Sequence, residues 1–363
     1  MRAQNHWHWQ RRKQDEGREN LKLATMTTTV SRFLKNHGEL KFALFQVTTR
    51  CNARCVDRCN IWALEPFDTK LEDVRFVIDL LAKNDFSVIY FTGGETGLYP
   101  HLIKAVEYAK KKGMITSITT NGTIPAGTLR KLSESLDVLS VSVDDCYEDI
   151  WDSAKGVVGI SKKAKETILI ARACGIKLYG ITFLNPAWAV KDVEQIVRYV
   201  NEELGVSFAL SYPYISSDEG TFVVGGNLIG SRFERQRNLR DMAAKVLQMK
   251  SLGSDVATAS SYLREVLRAH DGLPTRYPCR AGRTIITIDC KLNVFPCYKR
   301  KKLFNLKERQ DLHFPAPDNS SCDDRHCLIN CFKEASLASK ETFLRAVKEE
   351  LLSNPKFYLK LIG

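Results

Sequence analysis

The sequence predicts an α/β fold built on a parallel sheet, and three observations predict it. From about residue 42 onward, short runs rich in β-branched and aromatic residues alternate with longer segments of helical period. The alternation repeats about six times. Polar or glycine-rich clusters then fall at the ends of four successive strand-like runs. Strand followed by helix, repeated, implies helical crossovers between parallel strands. An open doubly wound sheet or a closed or partial barrel satisfies this pattern, and in either the chemistry belongs at the carboxyl ends of the strands.

The expected strands, in order, are 42–48 (FALFQVT), 87–93 (SVIYFTG), 114–120 (MITSITT), 138–143 (VLSVSV), 176–183 (IKLYGITF) and 206–212 (VSFALSY). Helical period places helices near 70–83, 98–112, 126–135, 161–173 and 190–203, with Gly113 and Gly175 as closing residues. Residues 215 onward (SSDEGTFVVGGNLIGS) read as a polar, glycine-rich loop near the mouth, and 232–270 as two helices. A β-rich pair, TIITID and NVFPC, flanks a short turn and reads as a hairpin. A basic amphipathic helix at 340–353 follows. The resulting organisation is a basic N-terminal extension (1–40), a barrel region (41–230), a helical connection (231–275), a cysteine-rich module (276–335) and a C-terminal helix and tail (336–363).

Composition sets the outer bounds. A chain of 363 residues, 44% hydrophobic, can bury one large core or one core and a smaller module. Its longest apolar runs are far short of the ~20 residues a membrane-spanning helix needs, so no integral membrane protein is expected. The basic start (HWHWQRRKQDEGRENLK) lacks the apolar stretch of a secretory signal, and the chain reads as cytoplasmic. Eleven cysteines, an odd number, in a reducing compartment argue for metal ligation over a disulfide scaffold. A net charge of +12 suits an anionic substrate, an anionic membrane surface, nucleic acid or simply a solvated basic face. The basic residues are spread along the chain and no nucleic-acid module is recognisable, so no nucleic-acid partner is assigned. Lys348, Lys356 and Lys360 offer a peripheral membrane contact, against which stands the simpler reading of a helix packed on the barrel.

Three of the cysteines, Cys51, Cys55 and Cys59, lie within nine residues of one another just after the first strand, in CNARCVDRCNIW. Cysteine thiolates hold zinc or iron-sulfur clusters. Zinc usually closes a shell of four ligands, so it would need a distant fourth residue here. Three thiols on one loop suit a 4Fe-4S cluster with one iron left open. Six further cysteines fall between Cys279 and Cys331, while Cys146 and Cys174 stand apart and read as buried apolar thiols.

With CN at the start of the loop, CNIW at its end, TGGET at 92–96, TTNGT at 119–123 and SVDD at 142–145, the chain resembles the radical S-adenosylmethionine (radical SAM) superfamily over roughly residues 40–215. The resemblance implies a partial (β/α)6 TIM-like barrel, a 4Fe-4S cluster on Cys51, Cys55 and Cys59, and SAM bound against it. By the match to the family's Gly-Gly-Glu-Pro strand end, Gly93, Gly94 and Glu95 are carried over as the SAM amino-group site, with Thr96 in place of the proline. Thr120, Asn121, Ser142 and Asp144 become candidates for facing the ribose, the methionine carboxylate or the substrate. The chemistry implied is release of a 5′-deoxyadenosyl radical that takes hydrogen from an unactivated carbon in a water-poor mouth.

The cysteine loop itself departs from the family pattern in two ways. The family's spacing is C-x3-C-x2-C, whereas CVDRC separates Cys55 from Cys59 by three residues, and Arg58 precedes the third cysteine where an aromatic residue is common. All three cysteines are expected to ligate, the loop bulging to absorb the extra residue; a degenerate member without radical chemistry is the other reading. The second cysteine region resembles the auxiliary-cluster modules called SPASM and twitch. Cys279, Cys297, Cys327 and Cys331 match best, Cys322 is a further candidate, and Cys290 falls in the turn. Four ligands favour a single auxiliary 4Fe-4S cluster; a zinc site using His326 stands against it. The resemblance implies a reductant such as flavodoxin or ferredoxin. The substrate reads as a small molecule, lipid or glycan precursor, with a ribosomal-peptide maturase, a non-catalytic iron-sulfur protein and a zinc-stabilised nucleic-acid-binding protein as alternatives.

Overall fold

In the computed structural model the described residues are 28, 31–32, 34–36, 38–55, 59, 61–185, 188–212, 232–298, 300–309, 312, 328–339 and 342–353. Six parallel strands form the frame: β1 (Phe42–Thr48), β2 (Val88–Gly93), β3 (Ile115–Thr120), β4 (Val138–Ser142), β5 (Lys177–Phe183) and β6 (Ser207–Ser211). They lie in the order β6-β5-β4-β3-β2-β1. A doubly wound sheet reverses its strand order at a switch point. This order runs one way throughout, so the crossover helices all cover one face and the other face becomes the inside of a partial barrel. The six sequence-expected strands match these within one residue at each end, as alternation and turn signals dictate.

The crossovers are α1 (Leu71–Lys83), α2 (Leu102–Lys111), α3 (Ala126–Leu132), α4 (Glu148–Lys155), α5 (Ile160–Ala173) and α6 (Val190–Arg198). Their apolar faces bury against the outer face of the sheet. Ala43, Phe45 and Val47 of β1 and Ile89 and Phe91 of β2 share one core with Val74, Val77, Ile78 and Leu81 of α1 and with Ala105 and Val106 of α2. Each large side chain buried this way contributes about 1.5–3 kcal/mol. Helix α4 lies between the expected strand and helix, where the sequence reading placed no element. Its Trp151 is fully buried and its end is closed by Gly156 at φ 63°. The single helix expected at 190–203 is α6 followed by a wide turn at Tyr199–Glu203. The Asp192 carboxylate accepts from the Ala189 N–H at the start of α6 (2.7 Å).

The chain then returns to the first strand. α7 (Arg232–Ser251) and α8 (Ser260–His270) are followed by β7 (Ile285–Ile288), which pairs in parallel with β1 from Phe42↔Ile285 to Phe45↔Ile288. β8 (Asn293–Phe295) and β9 (Phe304–Asn305) continue the sheet antiparallel, giving the expected hairpin. α9 (Asn330–Ser336) and α10 (Phe343–Ser353) complete the fold. α10 is docked on α8: its Glu350 accepts from the Ser260 N–H (2.9 Å) and its Glu349 from the Ser261 hydroxyl (2.7 Å). That agrees with a packed C-terminal helix. Lys356 and Lys360, the 215–230 loop and the N-terminal HWHW motif lie outside the described residues. Among the described residues no helix is long and apolar enough to cross a membrane.

Candidate functional site

The three-cysteine loop is latched to three neighbouring element ends. At the end of β2, the Gly94 N–H donates to the Thr48 carbonyl (3.0 Å) and the Glu95 N–H to the Arg50 carbonyl (2.7 Å). A Cβ at Gly94 would stand 2.2 Å from the Arg50 carbonyl oxygen, and one at Gly93 2.3 Å from that of Thr48. The paired glycines therefore let the chain leaving β1 lie against the end of β2. At the end of β3, the Asn121 side-chain amide donates to Asn52 Oδ1 (2.8 Å), and the Asn52 side-chain amide donates to the Thr123 hydroxyl (3.0 Å). At the end of α4, the Arg54 N–H donates to the Lys155 carbonyl (2.8 Å), and Gly156 fits where a Cβ would meet the Arg54 carbonyl oxygen at 2.4 Å. Beyond the loop, the Trp62 indole N–H donates to the Cys59 carbonyl (3.0 Å).

Glu95 is the node of this arrangement. It is fully buried, and its Oε1 accepts from the Thr120 hydroxyl (2.6 Å) and the Gly97 N–H (2.8 Å), its Oε2 from the Asn121 N–H (2.6 Å). Burial pushes its carboxyl upward and these donors pull it back. The resemblance gives this carboxylate a ligand's amino group to hold; the three hydrogen bonds it accepts from the chain also tie the ends of β2 and β3 together. Thr120, equally buried, also accepts from the Gly122 N–H (3.0 Å).

The thiols of Cys51, Cys55 and Cys59 lie within electrostatic reach of one another. Burial pushes Cys51 up to about 11; the Ala53 N–H opposes this, while Cys55, Glu95 and Cys59 add to the rise. Cys59 is raised chiefly by burial, opposed by the Ile61 N–H and by the charge of Lys155. Three sulfur donors, two of them served by backbone N–H groups and one by a cation, are a ligand set that iron-sulfur clusters take. Among the described residues no three His, Cys, Asp or Glu side chains converge as a single metal ion requires.

Asp144 follows β4, and its Oδ2 meets Lys155 Nζ at 3.1 Å, the two side chains being 4% and 10% exposed. Ser142 ends β4 opposite Ile181 of β5 and is half-buried. Gly93, Gly94, Glu95, Thr120, Asn121, Ser142 and Asp144 are thus gathered around the carboxyl ends of β2, β3 and β4. Sequence reasoning missed Asn52, Thr123 and Lys155; a glycine directly after Lys155 was the available signal.

The second cysteine region lies against the inner face of the sheet. Phe42, Leu44, Tyr90, Ile285, Tyr298, Ile329 and Phe332 form a separate small cluster, and Cys279, Cys297 and Cys331 all pack against it. Burial pushes Cys331 up to about 12, with Glu334 adding to the rise. Cys290 is 5% exposed and lies in the β7–β8 turn, its carbonyl accepting from the Thr69 hydroxyl (3.0 Å), away from the other three. Cys146 and Cys174 pack partly buried against the main core. No disulfide forms among the described cysteines. Cys322, His326 and Cys327 lie outside the described residues.

Residues 45–200 match the family model described as the Radical SAM superfamily. The chain is 29% identical over 227 residues to the Fe-coproporphyrin III synthase of Methanosarcina barkeri, covering 60% of this chain and 55% of that protein. It is 27% identical over 179 residues to the antilisterial bacteriocin subtilosin biosynthesis protein AlbA of Bacillus subtilis, covering 48% and 39%. The chain thus spans about half or less of these curated relatives. Among solved structures, Streptococcus suis SuiB bound to S-adenosylmethionine superposes with TM-score 0.59 at 15% identity, covering 79% of this chain and 69% of that one. Native anSMEcpe with bound AdoMet and Kp18Cys peptide gives 0.58 at 13%, covering 85% and 95%. At these identities the likeness is one of fold.

Proposed function

We propose, from the match of residues 45–200 to the Radical SAM superfamily, that the chain belongs to that superfamily and is an enzyme that cleaves S-adenosylmethionine reductively and removes hydrogen from an unactivated carbon of its substrate. The observation that carries this reading is the three-thiol loop latched at Arg50, Asn52 and Arg54 to the ends of β2, β3 and α4. In this reading Cys51, Cys55 and Cys59 hold a 4Fe-4S cluster, and SAM lies over the strand ends near Gly93, Gly94, Asn121, Ser142 and Asp144. When bound, the cluster and SAM supply the electron, the broken C–S bond and the 5′-deoxyadenosyl radical. The chain's own part is positional. Glu95 and Thr120 fix the strand ends, the paired glycines bring the loop onto β2, and the enclosed barrel keeps water from the reacting carbon.

Cys279, Cys297 and Cys331, with Cys322 and Cys327 as further candidates, are proposed to hold an auxiliary 4Fe-4S cluster on the inner face. The reductant is of the flavodoxin or ferredoxin type, and a cytoplasmic setting suits the reduced thiols. For the substrate, the inward strand positions in register with Tyr90 and Tyr179 are Ser117, Ser140 and Ser207. These are neutral hydrogen-bonding groups, which supports a small molecule or a lipid or glycan precursor rich in hydroxyl or amide groups. A peptide is the second reading, favoured by the relative named for subtilosin biosynthesis.

Anaerobic incubation of the reconstituted protein with SAM and dithionite tests the activity. 5′-Deoxyadenosine and methionine are expected from wild type and absent from a Cys51/Cys55/Cys59→Ala variant. Equal yields from both would overturn the reading. A candidate peptide that loses two hydrogens in mass would move the substrate from small molecule to peptide.

A further inference from the structure

The barrel interior holds a buried amide that the rest of the described chain leaves unpaired. On β1, Ala43, Phe45 and Val47 pack in the outer core, and Leu44 packs in the small inner cluster. Strand alternation therefore turns Gln46 inward, one pleat nearer the mouth than Leu44, about 7 Å along the strand. It is 2% exposed, yet its side chain makes no hydrogen bond among the described residues. The row beneath repeats the pattern. Thr287 of β7 and Tyr90 of β2 lie in register with Leu44, and Ser117 of β3 lies in register with Tyr90. The Thr287 and Ser117 hydroxyls are buried and also make no hydrogen bond among the described residues. No inward position of β1 to β4 carries a charged side chain. Burying a polar group without a partner is costly, so three neutral groups left open toward one interior point to a partner that the chain does not supply.

We propose that Gln46 is a specificity-determining residue that grips the substrate by a neutral amide edge of cis geometry, as a lactam, a primary carboxamide or the edge of a heterocyclic base presents. This rests on the radical SAM reading, with SAM over the strand ends and the substrate inside the barrel. The glutamine amide carries a carbonyl acceptor and an N–H donor side by side. Its complement carries N–H and C=O on one edge. A lactam does so, whereas a trans peptide group points the two in opposite directions and makes one bond of the pair. A carboxylate would set an oxygen against the glutamine carbonyl, with no cation at the inward positions of β1 to β4 to hold it. Leu44 and Phe42 supply an apolar floor beneath the amide. An apolar surface with a few placed polar groups is the setting of a small-ligand site.

Three probes test the edge: 2-pyrrolidinone, a cis lactam; N-methylpyrrolidinone, which lacks the N–H; and N-methylacetamide, a trans amide. Each is titrated into the reconstituted full-length protein with SAM, without oxygen, and binding is read by saturation-transfer nuclear magnetic resonance. Wild type is expected to bind 2-pyrrolidinone about tenfold more tightly than either of the others, as one added hydrogen bond gives. In Gln46→Met that preference is expected to vanish. No binding or equal affinity in wild type, or a preference that survives in Gln46→Met, overturns the proposal. If Gln46→Met fails to fold, Gln46→Asn, which withdraws the amide by one methylene, takes its place with the same expectation. A second readout separates recognition from a structural part. Without SAM or probe, the urea midpoint of the substituted protein is expected to stay at or above that of wild type, because no hydrogen bond within the chain is lost. A clear fall marks a structural glutamine and overturns the proposal. A wild type that yields no 5′-deoxyadenosine from SAM and dithionite would instead overturn the radical SAM reading, whatever the probes do.

Discussion

The two cysteine regions are built on opposite principles. The first is held by hydrogen bonds from polar strand ends, with the Asp144–Lys155 ion pair buried where β4 and α4 end. The second sits against aromatic and aliphatic side chains on the inner face of the sheet, with Glu334 as the acidic group acting on Cys331. In the proposed reading the first meets a polar ligand at the strand ends, and the second packs its sulfurs against apolar side chains. A site that must exchange substrate needs donors and counter-charge at hand, whereas a site that only passes electrons is served by apolar enclosure, which tunes potential and excludes solvent.

The largest expected effect breaks the two regions apart. Replacing Cys51, Cys55 and Cys59 by Ala should lower iron from about eight to about four atoms per chain, as two 4Fe-4S sites require, and abolish 5′-deoxyadenosine. Iron and sulfide counts on anaerobically purified protein check this. Next, Gly94→Ala pushes a methyl into the Arg50 carbonyl and should destabilise the fold by about 3 kcal/mol or more, read in urea unfolding of the iron-free protein. Glu95→Gln places an amide nitrogen among the Thr120, Gly97 and Asn121 donors. It should cost about 2 kcal/mol in the same assay.

The second region is probed by pH. Burial holds Glu334 up to about 7 from an ordinary 4.5, with the Ala259 N–H and Lys250 pulling the other way. A raised carboxyl means that the folded state binds the proton more tightly than the unfolded chain. Its contribution is complete below pH 4.5 and is lost as pH rises through about 7, by up to about 3 kcal/mol. Wild-type stability should therefore fall more between pH 5 and 8 than that of Glu334→Gln, as thermal melts at both pH values would show. The smallest effect is a control for Gly94. Gly127, in the first turn of α3, has nothing near a built Cβ, so Gly127→Ala should stabilise by about 0.4–1 kcal/mol.

Much of this was legible in the sequence because local rules decided it. The six strands follow from alternation, and the first site from motifs that each end a strand, so that correct strands placed the motifs together. What was not legible depended on contacts distant in sequence. Nothing in TIITID says that it will pair in parallel with FALFQVT more than 200 residues earlier, yet that pairing brings Cys279 and Cys297 to the inner face. Helix α4 was passed over because EDIWDSAK is short and mostly polar, and with it went Lys155. Glu95 was visible as part of a motif, but its role as a strut needed the position of Thr120 and Asn121.

The pairing of β7 with β1 bears on how the molecule is made. β1 has β2 beside it once the first hundred residues exist, but its other edge stays open until residues 285–288 emerge from the ribosome. Through that interval the nascent half-barrel shows an unpaired strand edge and the bare ring faces of Phe42 and Tyr90, features that invite association with other chains. The late segment is thus the seal that ends a vulnerable stage of synthesis.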